Sequence, residues 1–327
     1  MILVTGASGF LGAELVKQLI QNGEKVRMIR RANSDISHLK VFETQLEILE
    51  GDILDIPSLE NAIIGIDKIY HSAAVISYDS STHDLMYKTN VEGTANVVNV
   101  ALKYGVKKIL HVSSIAAIGA KPNKGIIDET VKWEKHQYNT YYGVTKMLAE
   151  REIFRGIEEG LPAVIINPGI IVGVGHDDHK ATMRIFNQIA KGKLPFYMRG
   201  ANAFVDVEDV AKAAIQLTDS TITRERFIAV SENWSFKKYF DTISDILHVQ
   251  HPQYEITPFL GSILCKADWL RSKLFSKKRS LTKENLVVVL ENFSFSHDKM
   301  KKAIGFEFKP LTQTLEEIAK TLNDGKV

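Results

Sequence analysis

The stretch Ile2-Leu3-Val4-Thr5-Gly6-Ala7-Ser8-Gly9-Phe10-Leu11-Gly12 begins one residue into the chain. Its first four residues form an apolar run of strand length, and residues 11–21 beyond it carry apolar positions at helical spacing. Between them the glycines are spaced Gly-x-x-Gly-x-x-Gly. Gly6 lets the chain turn sharply off the strand, Gly9 lets backbone approach a pyrophosphate, and Gly12 lets the helix pack close to the sheet. The amides and dipole at the helix start favour an anion. The turn therefore predicts a dinucleotide site, in the strand–turn–helix context such a site requires.

Outward from this turn, short apolar runs and amphipathic stretches keep alternating. Candidate strands are 2–5, 25–29, 46–50, 68–72, 108–113 and 163–167. Candidate helices are 11–21, 58–64, 82–103 and 142–159. Several strands are apolar along most of their length, as strands covered on both faces are. The succession predicts an α/β protein with a doubly wound parallel sheet, a Rossmann fold. After Asn167-Pro168-Gly169 the alternation breaks, with helices expected at 182–191 and 206–218 and a strand at 226–230. We divide the chain into a dinucleotide-binding domain, residues 1–168 plus 203–231, and a smaller C-terminal substrate-binding cap, residues 169–202 plus 232–327.

The second candidate strand runs into Arg30 and Arg31. Adjacent guanidiniums there suit the 2′-phosphate of NADP, whereas a site for NAD usually carries an acid that holds the ribose 2′-hydroxyl. Gly51-Asp52-Ile53 puts a carboxylate at the sheet edge, where an adenine amino group would meet it. Far downstream, Tyr142 and Lys146 stand four apart on a candidate helix and so share a face. A free tyrosine has a pKa of about 10. A lysine cation nearby favours the phenolate and is expected to lower that value toward neutrality. Tyr138 and Tyr141 have Tyr142 and Thr145 four residues on, so neither makes such a pair.

The 327 residues carry 41 Lys and Arg against 39 Asp and Glu, a net charge of +2, and give no reason to expect a nucleic-acid partner. A single cysteine, Cys265, excludes an internal disulfide and points to a reducing compartment. No apolar run approaches the roughly 18 residues of a membrane span. The first strand leaves no room for a signal peptide, so the expected location is the cytoplasm.

In order, the chain presents the glycine turn 5–12, Gly51-Asp52, His71-Ser72-Ala73-Ala74, Asn90-Val91-Glu92-Gly93-Thr94, Ser113-Ser114, Tyr142 with Lys146, Asn167-Pro168-Gly169 and the stretch 204–211. This ordered set resembles the extended short-chain dehydrogenase/reductase superfamily, the NAD-dependent epimerase/dehydratase family, over nearly the whole length. The resemblance implies a catalytic Ser114 that hydrogen-bonds the substrate oxygen and a Tyr142 that exchanges a proton with it. Lys146 would hold the nicotinamide ribose and tune the tyrosine. A cofactor is implied against Gly6, Ser8, Gly9, Phe10, Leu11, Gly12, Arg30, Arg31, Asp52, Ile53, Ser72, Ala73, Ala74, Lys146, Pro168, Gly169 and Ile171. Hydride arriving at a carbonyl carbon leaves an oxyanion, which needs a positioned donor and an acid, so the chemistry agrees. Ser113 is the second choice for the role of Ser114, and Asn90 is read as shaping its helix. The resemblance also implies a homodimer through helices 82–103 and 142–159, and no metal.

Local sequence separates the branches. Ser114 is followed by Ile115-Ala116-Ala117 in place of the acid pair typical of sugar-nucleotide dehydratases. The string Asn167-Pro168-Gly169-Ile170-Ile171-Val172-Gly173 is nearer to dihydroflavonol-reductase-like and hydroxysteroid-dehydrogenase-like members than to epimerases. The expectation is an NADP(H)-dependent carbonyl reductase or alcohol dehydrogenase acting on a small molecule. A nucleotide-sugar epimerase is the alternative, and a non-catalytic NADP sensor a third reading. Pro258-Phe259-Leu260, with Ile263 and Leu264, is read as facing a hydrophobic substrate or as core. Residues 269–279 read as a cap helix with Leu270, Leu274 and Phe275 on the core, a surface-lying membrane helix being the other reading. His176 and His179 enclose two aspartates in a predicted loop, where no metal is expected. His71 and His111 read as satisfied structural histidines.

Overall fold

The computed structural model describes residues 1–119, 121–175, 180–275 and 282–323. The 176–179 loop and the basic residues 277–279 lie outside the described residues. The first elements are β1 (Ile2–Thr5), α1 (Phe10–Gln21), β2 (Val26–Arg30), β3 (Leu46–Glu50), α2 (Ile56–Ile63) and β4 (Lys68–His71). Next come α3 (His83–Tyr87), α4 (Gly93–Lys103), β5 (Lys108–Val112), β6 (Ile126–Ile127), α5 (Tyr141–Glu158) and β7 (Ala163–Pro168). After them stand β8 (Ile170–Val172), α6 (Lys180–Ala190), β9 (Phe196–Met198), β10 (Ala201–Asp206), α7 (Val207–Asp219) and β11 (Glu225–Ala229). The remaining elements are β12 (Glu232–Ser235), α8 (Phe236–Ile246), β13 (Tyr254–Ile256), α9 (Pro258–Phe275), α10 (Lys283–Leu290), β14 (Ser294–Phe295), α11 (Asp298–Ile304) and α12 (Leu311–Asn323).

Seven strands form one parallel sheet in the order β11-β7-β5-β4-β1-β2-β3. The chain winds outward from β1 through β2 and β3, then returns to the other side of β1 at β4. Connections therefore leave β1 and β4 in opposite directions, and a crevice opens at their carboxyl ends. Both faces of the sheet are covered. Leu15, Val16 and Leu19 of α1 pack with Val210 and Ala214 of α7 on one side. Leu59 of α2, Val97 of α4 and Ile153 of α5 cover the other. Each such fully buried aliphatic side chain contributes roughly 1.5–3 kcal/mol. Edge strand β11 shows how the chain rejoins the sheet after leaving it at residue 169.

The expected single helix over 82–103 is interrupted. A π-helical turn, Lys88–Glu92, separates α3 from α4. Asn90 sits in that turn and explains it: its side chain accepts from Val75 N (2.7 Å) and donates to Val75 O (2.9 Å) and Thr145 Oγ1 (3.0 Å). The widened turn aims one amide at both the loop after β4 and α5.

Beyond the sheet, β8, β10 and β12 form a second, three-stranded sheet. Phe204, stacked on Tyr239 at 4.7 Å, packs there with Phe186, Trp234, Phe240, Leu311 and Leu315. The helix α9 corrects the reading of its sequence. Leu270 and Leu274 are 52% and 67% exposed, and Phe259 and Ile263 also face outward. The buried side is built from Gly261 and Cys265, small residues that let α9 sit close to its neighbours. Phe259 and Ile263 are thus neither core nor substrate-facing.

Candidate active site

A cavity of about 990 Å³ occupies the crevice at the ends of β1 and β4. Every residue expected to touch a cofactor lines it, from the turn at Gly6–Gly12 through Arg30, Arg31 and Asp52 to Ile171, and so do Ser114, Tyr142 and Lys146.

The turn is a backbone cradle. Gly6 has φ +70°, and a Cβ there would stand 2.6 Å from Ala73 N; a Cβ on Gly12 would stand 2.1 Å from Gly6 O. Gly9 caps α1 without a side chain, and the first turn of the helix holds no acid. These features fit a pyrophosphate on the free amides of a helix start. At the far end Arg30 Nη1 donates to Arg31 O (3.1 Å) and Ala32 O (2.8 Å), while its Nε is buried with no hydrogen-bond partner among the described residues. Arg31 is exposed at the cavity edge beside Ser34, a residue the sequence reading did not single out. Asp52 accepts from Leu54 N at 3.0 Å.

Tyr142 owes its place to the start of α5. Thr140 caps the helix by accepting from Gly143 N (3.0 Å), and the Glu284 carboxylate accepts from Tyr141 N (3.0 Å). A Cβ on Gly143 would meet Ala116 O at 2.7 Å. Glycine at that position lets α5 close on the short turn that follows Ser114, which brings the Ser114 hydroxyl to the Tyr142 phenol. Ser114 Oγ itself accepts from Ala116 N at 3.2 Å. Ser113 also lines the cavity, but its hydroxyl is buried with no hydrogen-bond partner among the described residues.

One turn on, Lys146 is 2% exposed and donates to Val112 O at 2.7 Å. Burial pulls its ammonium down to about 8, against the opposing pull of the Glu150 carboxylate. The phenol moves opposite to the sequence expectation. Burial pushes Tyr142 above its usual range, Tyr78 adds to this, and the Ser114 hydroxyl lowers it only in part. Desolvation of the buried phenolate outweighs the Ser114 hydrogen bond. Tyr142 is therefore a neutral phenol at physiological pH.

The histidines divide. His71 is satisfied by Thr5 Oγ1 (2.8 Å) and Thr94 Oγ1 (2.9 Å). His111 corrects the expectation, because both of its nitrogens are buried without a partner among the described residues, its ring lying 5.2 Å from that of His71. Among the described residues no group of His, Cys, Asp and Glu is arranged to hold a metal.

Three residues near the site gave no signal in the sequence. Tyr78, on the loop after β4, lines the cavity near Tyr142. Glu284 reaches α5 from α10, and Glu150 is a buried carboxylate one turn beyond Lys146. A lone tyrosine in a loop and acids on helices have no distinguishing spacing. Their roles come from neighbours distant in sequence.

Beyond Tyr142 the wall changes character. Ile76, Leu85, Ile185, Met198, Phe236 and Phe293 line it, and Arg30, Arg31 and Lys146 are the only cations around the whole cavity among the described residues.

Comparison with known proteins agrees with this architecture. The NAD-dependent epimerase/dehydratase family profile matches residues 2–227. Sterol demethylase protein B of Methylococcus capsulatus is 31% identical over 278 residues, 84% of each chain. Cinnamoyl-CoA reductase 1 of Petunia hybrida is 29% identical over 339 residues, spanning 99% of this chain and 92% of the other. UDP-glucose 4-epimerase of Thermotoga maritima, solved with UDP-glucose, superimposes with a TM-score of 0.81 at 20% identity over 100% of this chain and 99% of that one, a likeness of fold. No helix among the described residues is long and apolar enough to cross a membrane.

Proposed function

The chain belongs to the NAD-dependent epimerase/dehydratase family of the extended short-chain dehydrogenase/reductase superfamily, and on that premise we propose that it is an NADP(H)-dependent reductase of ring-bearing or otherwise apolar carbonyl compounds. The observation that carries this reading is the placement of Tyr142 and Ser114 between two unlike halves of one cavity. One part offers the glycine cradle and Arg31; the other is mainly apolar, with Thr89, Asn139 and Asn202 as polar members of its lining.

When bound, the cofactor would supply the hydride. Gly6, Gly9 and Gly12 would hold its pyrophosphate, Arg31 and Ser34 its 2′-phosphate, and Lys146 its nicotinamide ribose. Ser114 donates a hydrogen bond to the substrate oxygen. Tyr142 gives that oxygen its proton, and a phenol kept neutral by burial is in the correct state to do so. The buried Lys146 ammonium stabilises the phenolate that remains. We assign cofactor binding to residues 1–168 and 203–231, substrate binding to 169–202 and 232–327, and a reducing compartment such as the cytoplasm to the protein.

The epimerase reading needs cations for a substrate diphosphate, and the described walls beyond Tyr142 supply none. A non-catalytic sensor has no use for Tyr142 beside Ser114. We further infer a homodimer through α4 and α5, which light scattering at micromolar concentration tests; a monomeric mass overturns it. The function is tested by offering the protein and NADPH a panel of aryl and alicyclic aldehydes and ketones beside UDP-sugars. Consumption of NADPH with the carbonyl compounds supports the proposal. Interconversion of UDP-sugars without net NADPH consumption overturns it.

A further inference from the structure

Helix α9 presents an apolar stripe to solvent. Phe259 is 76% exposed, Ile263 47%, Leu270 52% and Leu274 67%. Their spacings of four, seven and four residues place all four on one side of the helix. Trp269, 45% exposed, stands at the edge of this stripe. Lys266 and Lys273 lie on the same side, both exposed, and neither has a carboxylate partner among the described residues. The Lys273 ammonium stands 4.5 Å from the centre of the Trp269 ring. Two pairs of bulky apolar side chains, parted by Lys266, on one face of a surface helix mark an interaction site, because single exposed ones are ordinary and such a grouping is not.

We infer that α9 seats the protein on an anionic membrane surface. The chemistry is that of an interfacial helix: Phe, Ile, Leu and Trp toward the acyl boundary, with lysines among them able to reach lipid phosphates. Charge decides against a second copy of the chain as occupant, since an isologous contact would bring Lys266 and Lys273 of both copies together with no acid on that side of α9 to offset them. The inner side of α9 packs on α10, where a Cβ on Gly261 would meet Leu286 at 3.0 Å. Val288 and Val289 of α10 line the cavity. Seating α9 on a bilayer thus sets the apolar half of the cavity one helix away from the lipid. The docking goes beyond the proposed reaction and does not depend on it.

The test is sedimentation of the full chain with vesicles of phosphatidylcholine alone and of phosphatidylcholine mixed with phosphatidylglycerol. The mixed vesicles should carry the protein down, and added salt should weaken this. The pair Leu270→Glu and Leu274→Glu should lower partitioning more than tenfold while NADPH binding and helicity stay unchanged. Lys266→Gln and Lys273→Gln should each lower binding to the mixed vesicles by about fivefold, without affecting neutral ones. Failure of the wild-type protein to sediment with either vesicle overturns the inference. So does a Leu270→Glu, Leu274→Glu protein that binds vesicles normally but loses a dimer in light scattering, which would assign the face to a second copy.

Discussion

Asn167 donates one side-chain hydrogen bond to the Glu150 carboxylate at 2.5 Å and another to the Ser114 carbonyl at 3.0 Å. Glu150 also meets Arg226 of β11 at 3.4 Å. One buried carboxylate thus joins the helix that carries Tyr142 and Lys146, the strand end that carries Ser114, and the edge of the sheet. Glu150 acts as a positioning residue, and its charge helps keep Lys146 protonated inside the protein.

Glu150→Gln should therefore move the pH profile. Lys146 is cationic below about 8 and neutral above it. Removing the carboxylate lowers that value further, so the alkaline fall in kcat should begin at lower pH. Stability should drop by about 3 kcal/mol, because Arg226 and Lys146 lose a buried counter-charge. Glu150→Asp should recover part of both effects. A Gln variant with a normal alkaline limb would reduce Glu150 to a structural role.

Tyr142→Phe keeps the ring packed beside Ser114 and removes the proton donor. Its kcat should fall about 100-fold or more, with the affinity for NADPH unchanged in a fluorescence titration. Full activity in this variant would eliminate the phenol as the acid.

Arg31 should decide cofactor choice. Arg30 gives only its Nη1 to Arg31 O and Ala32 O, whereas the whole Arg31 side chain is exposed at the cavity edge, so we assign Arg31 as the principal partner for a 2′-phosphate. Arg31→Ser should weaken NADPH binding by about 10- to 100-fold, the worth of a charge-assisted hydrogen bond, and leave NADH binding alone. Equal affinities of the wild-type protein for the two cofactors would refute the NADP assignment.

The buried imidazoles predict acid lability. Burial lowers His71 to about 3, and His111 lies well below its ordinary value through burial, Lys146 and His71. Both are neutral when folded and bind protons when unfolded below roughly pH 6.5. Their contribution is thus complete above that pH and is lost as pH falls toward the folded values, by about 1.4 kcal/mol per pH unit for each histidine. His111→Phe should flatten the decline in melting temperature between pH 6.5 and 4. An unchanged slope would locate the acid sensitivity elsewhere.

What could be read along the chain was local chemistry. Strand and helix periods, the glycine turn and the spacing of Tyr142 and Lys146 each depend on neighbours a few residues apart, and their order alone implies the doubly wound sheet. Tertiary structure decided what depends on distant partners. Gly143 matters because it meets Ala116, and Glu284 because it reaches Tyr141 across 143 residues. Asn90 sits in a π-helical turn where Val75 and Thr145 claim its amide. The phenol rises in pKa because the folded chain takes water away from it, and helix period alone does not reveal which apolar face of α9 turns outward. Spacing determines which residues can share a face; packing determines what that face meets.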